Sequence, residues 1–395
     1  MKILYISSLT FRKASSASIR NIGLINGLVE KGHQVDLLTI KYPTALEDTF
    51  LKELISKKVH IYKSEISILN KYFESKEKIK ITSNFTKSNL NILKNAIKTF
   101  YFFPDTDKEW IKNYNKEVLK NEYDLIISSS DTKTSHYIAE SVTKKKSDIP
   151  WFQIWGDPWE DDINLSKILK YKVRKKEKSL LKRAKKIFYV SKPTTEVMKT
   201  KYKRHSEKIF YLGRSYSVEC QGNSIGSNKD WIISYTGSLS QNRKLENLIL
   251  SIKNYNEKYT KKIKIDFYGN YSKDIYDYYS EYDFLNLNEA INFKSVLEVY
   301  KKSDVLLFID NGNNTSQIPG KLYDYFGTDR PILALVNDVD TAVATFIKET
   351  NRCIVQENNQ QDINFDFLSE LKREKVLKEY SGEAITKRMF LENTK

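Results

Sequence analysis

The sequence predicts an α/β protein built from two doubly wound, Rossmann-like domains. Three observations carry that prediction. Within about 40 residues of the start, an apolar run, an amphipathic stretch and a second apolar run give the order strand–helix–strand, the unit of a parallel sheet. The same alternation begins afresh at Trp231. Between the halves lies VECQGNSIGSNKD (218–230), polar and glycine-bearing as linkers are. A chain of 395 residues also exceeds what one core supports and suits two. The expected domains are residues 1–217 and 231–375, joined by the linker 218–230, with a C-terminal helix of about 376–395 able to pack back on the first domain.

In order, KILYISS (2–8) reads as the first strand. SASIRNIGLINGLVEKG (16–32) has apolar residues at helical spacing and ends on glycine, a helix with its stop signal. HQVDLLTI (33–40) is the next strand. Residues 43–120 are lysine-rich and weakly patterned, and are expected to be mostly helical. YDLIISSS (123–130) and IPWFQIWGDPW (149–159) are strands with polar carboxyl ends. A basic helix then leads to the strand KKIFYVSK (185–192) and a short helix. In the second half WIISYTG (231–237), KIKIDFYG (262–269), DVLLFID (304–310) and PILALV (331–336) are strands. Helices are expected over 244–259, 296–303 and the start of KLYDYF (321–326), and the tail from Phe367 on reads as helical. In such sheets ligands bind outside the carboxyl ends of the strands.

Composition narrows the function. Hydrophobic residues make up 40% and aromatics 13%, which excludes global disorder. Two cysteines, Cys220 and Cys353, exclude a disulfide framework and fit a reducing compartment. MKILYIS reads as a strand rather than a signal peptide, and no run approaches the roughly 20 apolar residues of a membrane span. The expectation is a protein on the cytoplasmic side, soluble or peripheral on the inner face of the membrane. The net charge of +16 implies an anionic partner. Abundant Lys, Ile, Asn and Tyr, as an AT-rich genome produces, account for part of that excess. The run that starts at Lys170 and ends at Lys186 exceeds the background; it is either a solvated helix face or a face for an anionic surface. The aromatics are scattered without an RNA-binding signature, so nucleic acid is not expected as a partner.

The densest chemical signal is QIPGKLYDYFGTDRPIL (317–333). Gly320 and Lys321 open a helix, whose first N–H groups and positive end attract phosphate, and Lys321 adds a full charge. Asp324 falls one turn on, on the same face, where a carboxylate accepts hydrogen bonds from sugar hydroxyls. Cation and acid together suit a nucleotide-sugar. A second constellation is ISYTGSLSQNRKLENLI (233–249): Gly237 lets a ligand approach the backbone, and Arg243 can hold phosphate with two parallel bonds.

On these residues the second half resembles the C-terminal domain of a GT-B-fold glycosyltransferase of the large group-1 (family 4) retaining type. Gly237 and Arg243 match its glycine and basic loop residue, Tyr268 and Gly269 a strand-end pair, and Asp324 through Pro331 its acid-to-proline helix signature. The resemblance implies the GT-B fold, two domains facing a central cleft, with ribose on Asp324 and diphosphate on Arg243 and Lys321. Gly237, Ser238, Gly269, Ser316 and Gly320 complete the implied donor site. Three departures mark a divergent branch: Ser316 stands for an acid, Ser238 for an arginine and Asp329, expected at the surface, for a glycine.

The first half resembles the family's acceptor domain. Gly32 and His33 match a Gly-His element, with His33 either structural or catalytic. Ser15, Ser16, Ser18 and Arg20 fill a loop that in the family faces the cleft. In IWGDPWEDD (154–162) two tryptophans flank Gly-Asp-Pro, and aromatic faces beside a carboxylate hold sugars. Asp157 is accordingly expected either in the catalytic cleft or as a helix cap. Asp131 and His136 are weaker candidates. Glu160, Asp161 and Asp162 imitate a metal motif of a different fold, but cations and helix ends can neutralise a diphosphate, so no metal and no cofactor is expected. No zinc spacing or Walker loop occurs.

The activity implied is transfer of a sugar, from a UDP-sugar first among donors, to a glycan or lipid-linked hydroxyl with retention, in bacterial cell-surface polysaccharide or glycoconjugate assembly. The alternatives are a nucleotide-sugar 2-epimerase or a catalytically silent polyanion binder.

Overall fold

A computed structural model describes residues 1–13, 15–67, 103–130, 132–162, 165–239, 243, 245–310, 318–358 and 362–391. The chain forms two compact units, one of residues Met1–Gly213 with Gly382–Lys395, the other of Arg214–Ser381.

The first unit holds a seven-stranded sheet in the order β3-β2-β1-β4-β5-β6-β7. Its strands are β1 (Lys2–Ile6), β2 (Gln34–Lys41), β3 (His60–Glu65), β4 (Leu125–Ser130), β5 (Trp151–Trp155), β6 (Lys186–Tyr189) and β7 (Ile209–Tyr211). All neighbours pair in parallel, for example Ile3 with Val35 and Leu125. The central strands are buried on both faces and therefore read as unbroken apolar runs. Of residues 43–120, expected to be mostly helical, 68–102 lie outside the described residues. Among the rest, β3 is an edge strand, whose exposed His60, Lys63 and Glu65 dilute the apolar alternation. Of helix, the described part of this stretch holds α2 (Thr49–Leu54), α3 (Trp110–Asn113) and two short 3-10 turns.

Helices α1 (Ser16–Glu30), α4 (Thr134–Lys145), α5 (Lys167–Arg183) and α6 (Lys192–Lys201) connect the strands. Ser15 caps α1 by accepting a bond from the Ser18 N–H. The C-terminal helix α12 (Gly382–Phe390) lies against α1, and glycine makes this possible: a Cβ on Gly27 would come within 2.7 Å of the Glu383 nitrogen.

The second unit holds a six-stranded parallel sheet in the order β10-β9-β8-β11-β12-β13. Its strands are β8 (Trp231–Thr236), β9 (Ile263–Tyr268), β10 (Leu285–Asn288), β11 (Val305–Ile309), β12 (Ile332–Val336) and β13 (Cys353–Glu357). Its helices are α7 (Glu246–Lys258), α8 (Lys273–Tyr279), α9 (Phe293–Lys302), α10 (Gly320–Phe326) and α11 (Ala342–Glu349).

Segment 218–230 belongs to this unit rather than running between two. Cys220 N donates to Gly327 O, Gly222 N to Asp329 and Gly226 N to Asp304. Asp329, expected at the surface, is buried for that reason and also accepts from Arg330 Nε at 2.9 Å. The tail departs from a helix as well. Around Glu374 and Leu377 it is extended, its N–H groups bonded to Asp329 O and Phe326 O, because KREK offers no apolar stripe to bury. No described helix is long and apolar enough to cross a membrane.

Candidate functional site

Each sheet reverses its strand order once, between β1 and β4 in the first unit and between β8 and β11 in the second. Such reversals leave a crevice beyond the carboxyl ends of the strands, because the connections leave it on opposite sides.

In the second unit that edge is cationic. β8 is followed by Gly237, whose N–H donates to Tyr268 O, and β9 by Gly269, whose N–H donates to Asn288 O. The two glycines are packed backbone to backbone: a Cβ on Gly269 would overlap the Gly237 carbonyl. Gly237 has φ +139°, a conformation that side chains resist, and a Cβ there would collide with Lys321 Nζ. Lys321 Nζ therefore reaches over the strand end, 3.7 Å from the centre of the buried Tyr235 ring.

Arg243 is held by carbonyls. Its Nη1 donates to Ser238 O at 2.6 Å and its Nε to Ile309 O, at the end of β11, at 3.4 Å. Among the described residues no carboxylate lies within ion-pair distance of Arg243 or Lys321. A third cation, Arg214, lies against the start of α10; a Cβ on Gly320 would come within 2.9 Å of its guanidinium carbon.

The electrostatics follow. Burial, then the neighbouring Arg243, push Lys321 well below the ordinary lysine pKa, and Asp324 offsets this only in part. Burial lifts Asp324 to about 7 against the pull of Arg214 and Lys321. Both residues are half-buried. A bound anion would favour the lysine's charged form. α10 spans seven residues, with no side-chain cap, so its dipole is short and the side-chain cations supply most of the positive field.

The structure thus brings together Gly237, Ser238, Arg243, Gly269, Gly320, Lys321 and Asp324. Ser316 and Asp131 lie outside the described residues. Arg214 escaped the sequence reading because it falls before residue 217, on the other side of the expected boundary.

The first unit's edge is built from hydroxyls and carboxylates. Ser8 Oγ, after β1, hydrogen-bonds Thr132 Oγ1, after β4, and Ser8 N donates to Ser135 Oγ at 3.2 Å. Asp105 accepts from Thr134 N and Oγ1 at 2.8 and 2.7 Å. Beside it Asp107 is buried and lifted to about 7, by burial first and then by the charge of Asp105.

The other candidates of this half divide. His136 is fully buried on α4; its Nδ1 is 2.7 Å from Ser128 Oγ, its ring 4.3 Å from that of Trp155, and burial keeps it neutral. His33 packs on Phe390 at 5.2 Å, a structural contact at a strand start. Arg20 is buried in α1 and donates to Ser129 Oγ at 3.1 Å. The two tryptophans do not present sugar-binding faces: Trp155 and Trp159 are core residues, the latter stacked 5.5 Å from Phe103. Asp157 is exposed at the end of β5, and its carbonyl accepts from Lys133 Nζ. Glu160 and Asp161 are ion-paired with Arg174 and Lys201. Among the described residues no three His, Cys, Asp or Glu side chains gather as a metal site.

No protein-family model and no curated protein matches the sequence. Solved structures do match. TarM aligns with TM-score 0.62 at 12% identity, over 98% of this chain and 97% of its own. The catalytic domain of starch synthase IV from Arabidopsis thaliana, bound to ADP and acarbose, aligns with TM-score 0.57 at 10% identity, over 99% and 95%. A UDP-N-acetylglucosamine 2-epimerase aligns with TM-score 0.54 at 11% identity, over 98% and 93%. At such identities the likeness is one of fold: the chain has the GT-B fold, two Rossmann-like units each with a parallel sheet.

Proposed function

We propose that this protein is a glycosyltransferase that moves a sugar from a nucleoside-diphosphate donor, with a UDP-sugar favoured, to a hydroxyl of a glycan or lipid-linked acceptor. The observation that carries the reading is the placement of Arg243 and Lys321 at two bare strand ends, Gly237 and Gly269, with Asp324 one turn from Lys321 and Arg214 against the start of the same helix. A diphosphate needs positive charge, close backbone approach and desolvation, and among the described residues no carboxylate is within ion-pair distance of Arg243 or Lys321. The fold supports the reading, since it is shared with synthases, one of them bound to ADP.

In this reading the bond between the sugar's anomeric carbon and the diphosphate breaks, and the diphosphate leaves with the electron pair. The three cations hold that charge in place before it develops, which is where fixed positive groups lower a barrier most. The acceptor oxygen attacks the same face of the anomeric carbon, and its proton passes to the departing phosphate oxygen. The configuration is retained, and neither a protein nucleophile nor a metal is required. Asp324 accepts bonds from the ribose hydroxyls, Ser316 belongs to the donor-sugar contacts, and the first unit with Asp157 receives the acceptor. The setting proposed is bacterial cell-surface polysaccharide or glycoconjugate assembly, on the cytoplasmic side of the membrane, with the basic run from Lys170 to Lys186 toward anionic lipid.

The test is incubation with UDP-glucose, UDP-galactose and UDP-N-acetylglucosamine followed by NMR. Release of UDP with a free or transferred sugar of retained configuration is expected. An inverted product would overturn the retaining mechanism. Conversion of UDP-N-acetylglucosamine into its 2-epimer would establish the epimerase reading instead, which the structural likeness to such an enzyme keeps in view.

A further inference from the structure

We propose that the second unit carries a binding groove for an uncharged glycan, on the open face of its sheet at the β9–β10 edge. Strands of a doubly wound sheet are covered on both faces and read as apolar runs, yet β9 alternates. Its Ile263, Ile265 and Phe267 are buried, while Lys264, Asp266 and Tyr268 are exposed or half-buried. The register sets Asp266 beside Asn286 and Tyr268 beside Asn288, so four polar side chains share one face. α9, the helix after β10, packs on β8 instead. The face forms a concavity of ≈ 380 Å³, within the range of small-molecule sites, bordered by Tyr276 of α8 and Ser280 just after it.

The aromatic border is pre-organised. Tyr276 is 47% exposed, with its ring stacked on that of Tyr271 at 6.1 Å and 13°. Tyr271 is fixed in turn by its hydroxyl, which donates to Leu287 O at 3.2 Å. An exposed ring already held by its neighbour loses little freedom when a ligand stacks on it. The polar groups suit hydroxyls. Asp266 accepts from Asn286 Nδ2 at 2.7 Å, which orients both side chains. Among the described residues, no hydrogen bond engages the Tyr268 hydroxyl, the Ser280 hydroxyl or the Asn286 side-chain carbonyl.

Charge decides the class of ligand. Asp266 is the single charged residue lining the groove, and neither Arg243 nor Lys321 reaches it. Lys264, next on the same face, is paired with Asp230 at 3.2 Å. The stretch from Tyr268 to Phe284 holds six of the chain's 26 tyrosines, and its acids Asp274, Asp277, Glu281 and Asp283 outnumber its one lysine, in a chain of net charge +16. An anion is therefore disfavoured here. A stacking surface with carboxylate, amide and hydroxyl groups recognises the apolar faces and hydroxyls of sugar rings. A peptide strand added to β10 is the rival occupant. Phe284 O and Asn288 O bond β9, so by the alternation of a strand Leu287 O points to the free edge, where Tyr271 already holds it. The inference rests on this edge alone and is independent of the donor-site reading.

The experiment is calorimetric titration of the full chain with maltoheptaose, chitohexaose and mannohexaose, at low and at high salt. Saturable binding of at least one of them, equal at both salts, is expected. The pair Tyr276→Ala with Asn286→Ala, exposed in the groove, weakens it about tenfold or more. The matched pair Asn254→Ala with Tyr259→Ala, exposed elsewhere on the same unit, leaves it unchanged. Equal melting temperatures hold folding constant. No binding of any of the three glycans overturns the proposal. So does binding that falls as salt rises, which would mean a charged contact, or binding that the groove pair leaves intact, which would place the sugar elsewhere.

Discussion

The two sheets reverse their strand order at equivalent places, yet the edges there have opposite chemistry. Between β1 and β4 the edge is closed by hydroxyl-bearing residues, with Ser8 Oγ bonded to Thr132 Oγ1 and Ser8 N to Ser135 Oγ, and with the half-buried Asp105 and buried Asp107 beside them. Between β8 and β11 it is left bare by Gly237 and Gly269 and flanked by Arg243 and Lys321, with Arg214 against the start of α10. Topology fixes where a ligand can sit. Side chains at the strand ends then decide which ligand; the proposed assignment is a neutral hydroxyl-bearing group at the first edge and a diphosphate at the second.

The sharpest way to break this comparison is to fill the bare edge. Gly269→Ala places a Cβ against the Gly237 carbonyl, backbone that cannot swing aside, and is expected to cost about 2–3 kcal/mol and abolish UDP binding. Chemical denaturation and calorimetry check both, and wild-type affinity would show that the glycine contact does not shape the site. Next in size are charge removals. Lys321→Ala is expected to weaken UDP binding about tenfold or more, the loss of a charge-assisted bond, while Asp107→Asn leaves it unchanged. An equal loss in both variants would erase the distinction between the edges.

A smaller effect concerns pH. Asp324 and Asp107 both have pKa values raised to about 7, above the unfolded value near 4, so each folded unit holds an extra proton between those limits. The stability this gives is complete below about pH 4 and is lost as pH rises through 7. Asp324→Asn is therefore expected to stabilise the free protein at pH 8 by roughly 1–2 kcal/mol, while weakening nucleotide binding. Melting curves at pH 5 and pH 8 test this, and a variant less stable at both would contradict it. The least change is expected from Arg214→Ala, which removes the cation holding Asp324 down and moves the pH dependence of UDP binding upward.

Much of this was legible in the sequence because central parallel strands are buried on both faces and show as plain apolar runs. The edges were not: β3, β7, β10 and β13 carry exposed or part-exposed residues that blur the pattern. At the second edge Gly237, Arg243, Lys321 and Asp324 could be read because each sits beside a strand end or helix start with its own local signal. Arg214 has none; only folding brings it to Gly320. Trp155 and Trp159 misled in the opposite direction, since composition cannot tell a sugar platform from a core residue.

The most direct test of the central claim, that the cationic edge of the second sheet binds a nucleoside diphosphate, is calorimetric titration with UDP at pH 8 in buffers of different ionisation enthalpy. GDP and ADP serve as comparisons. Burial and Arg243 depress the Lys321 pKa in the free protein, so the arriving diphosphate should draw a proton onto it. Saturable UDP binding with net proton uptake, both lost in Lys321→Ala, is the expected result. No binding of any of the three diphosphates, or binding indifferent to Lys321→Ala, would contradict the account.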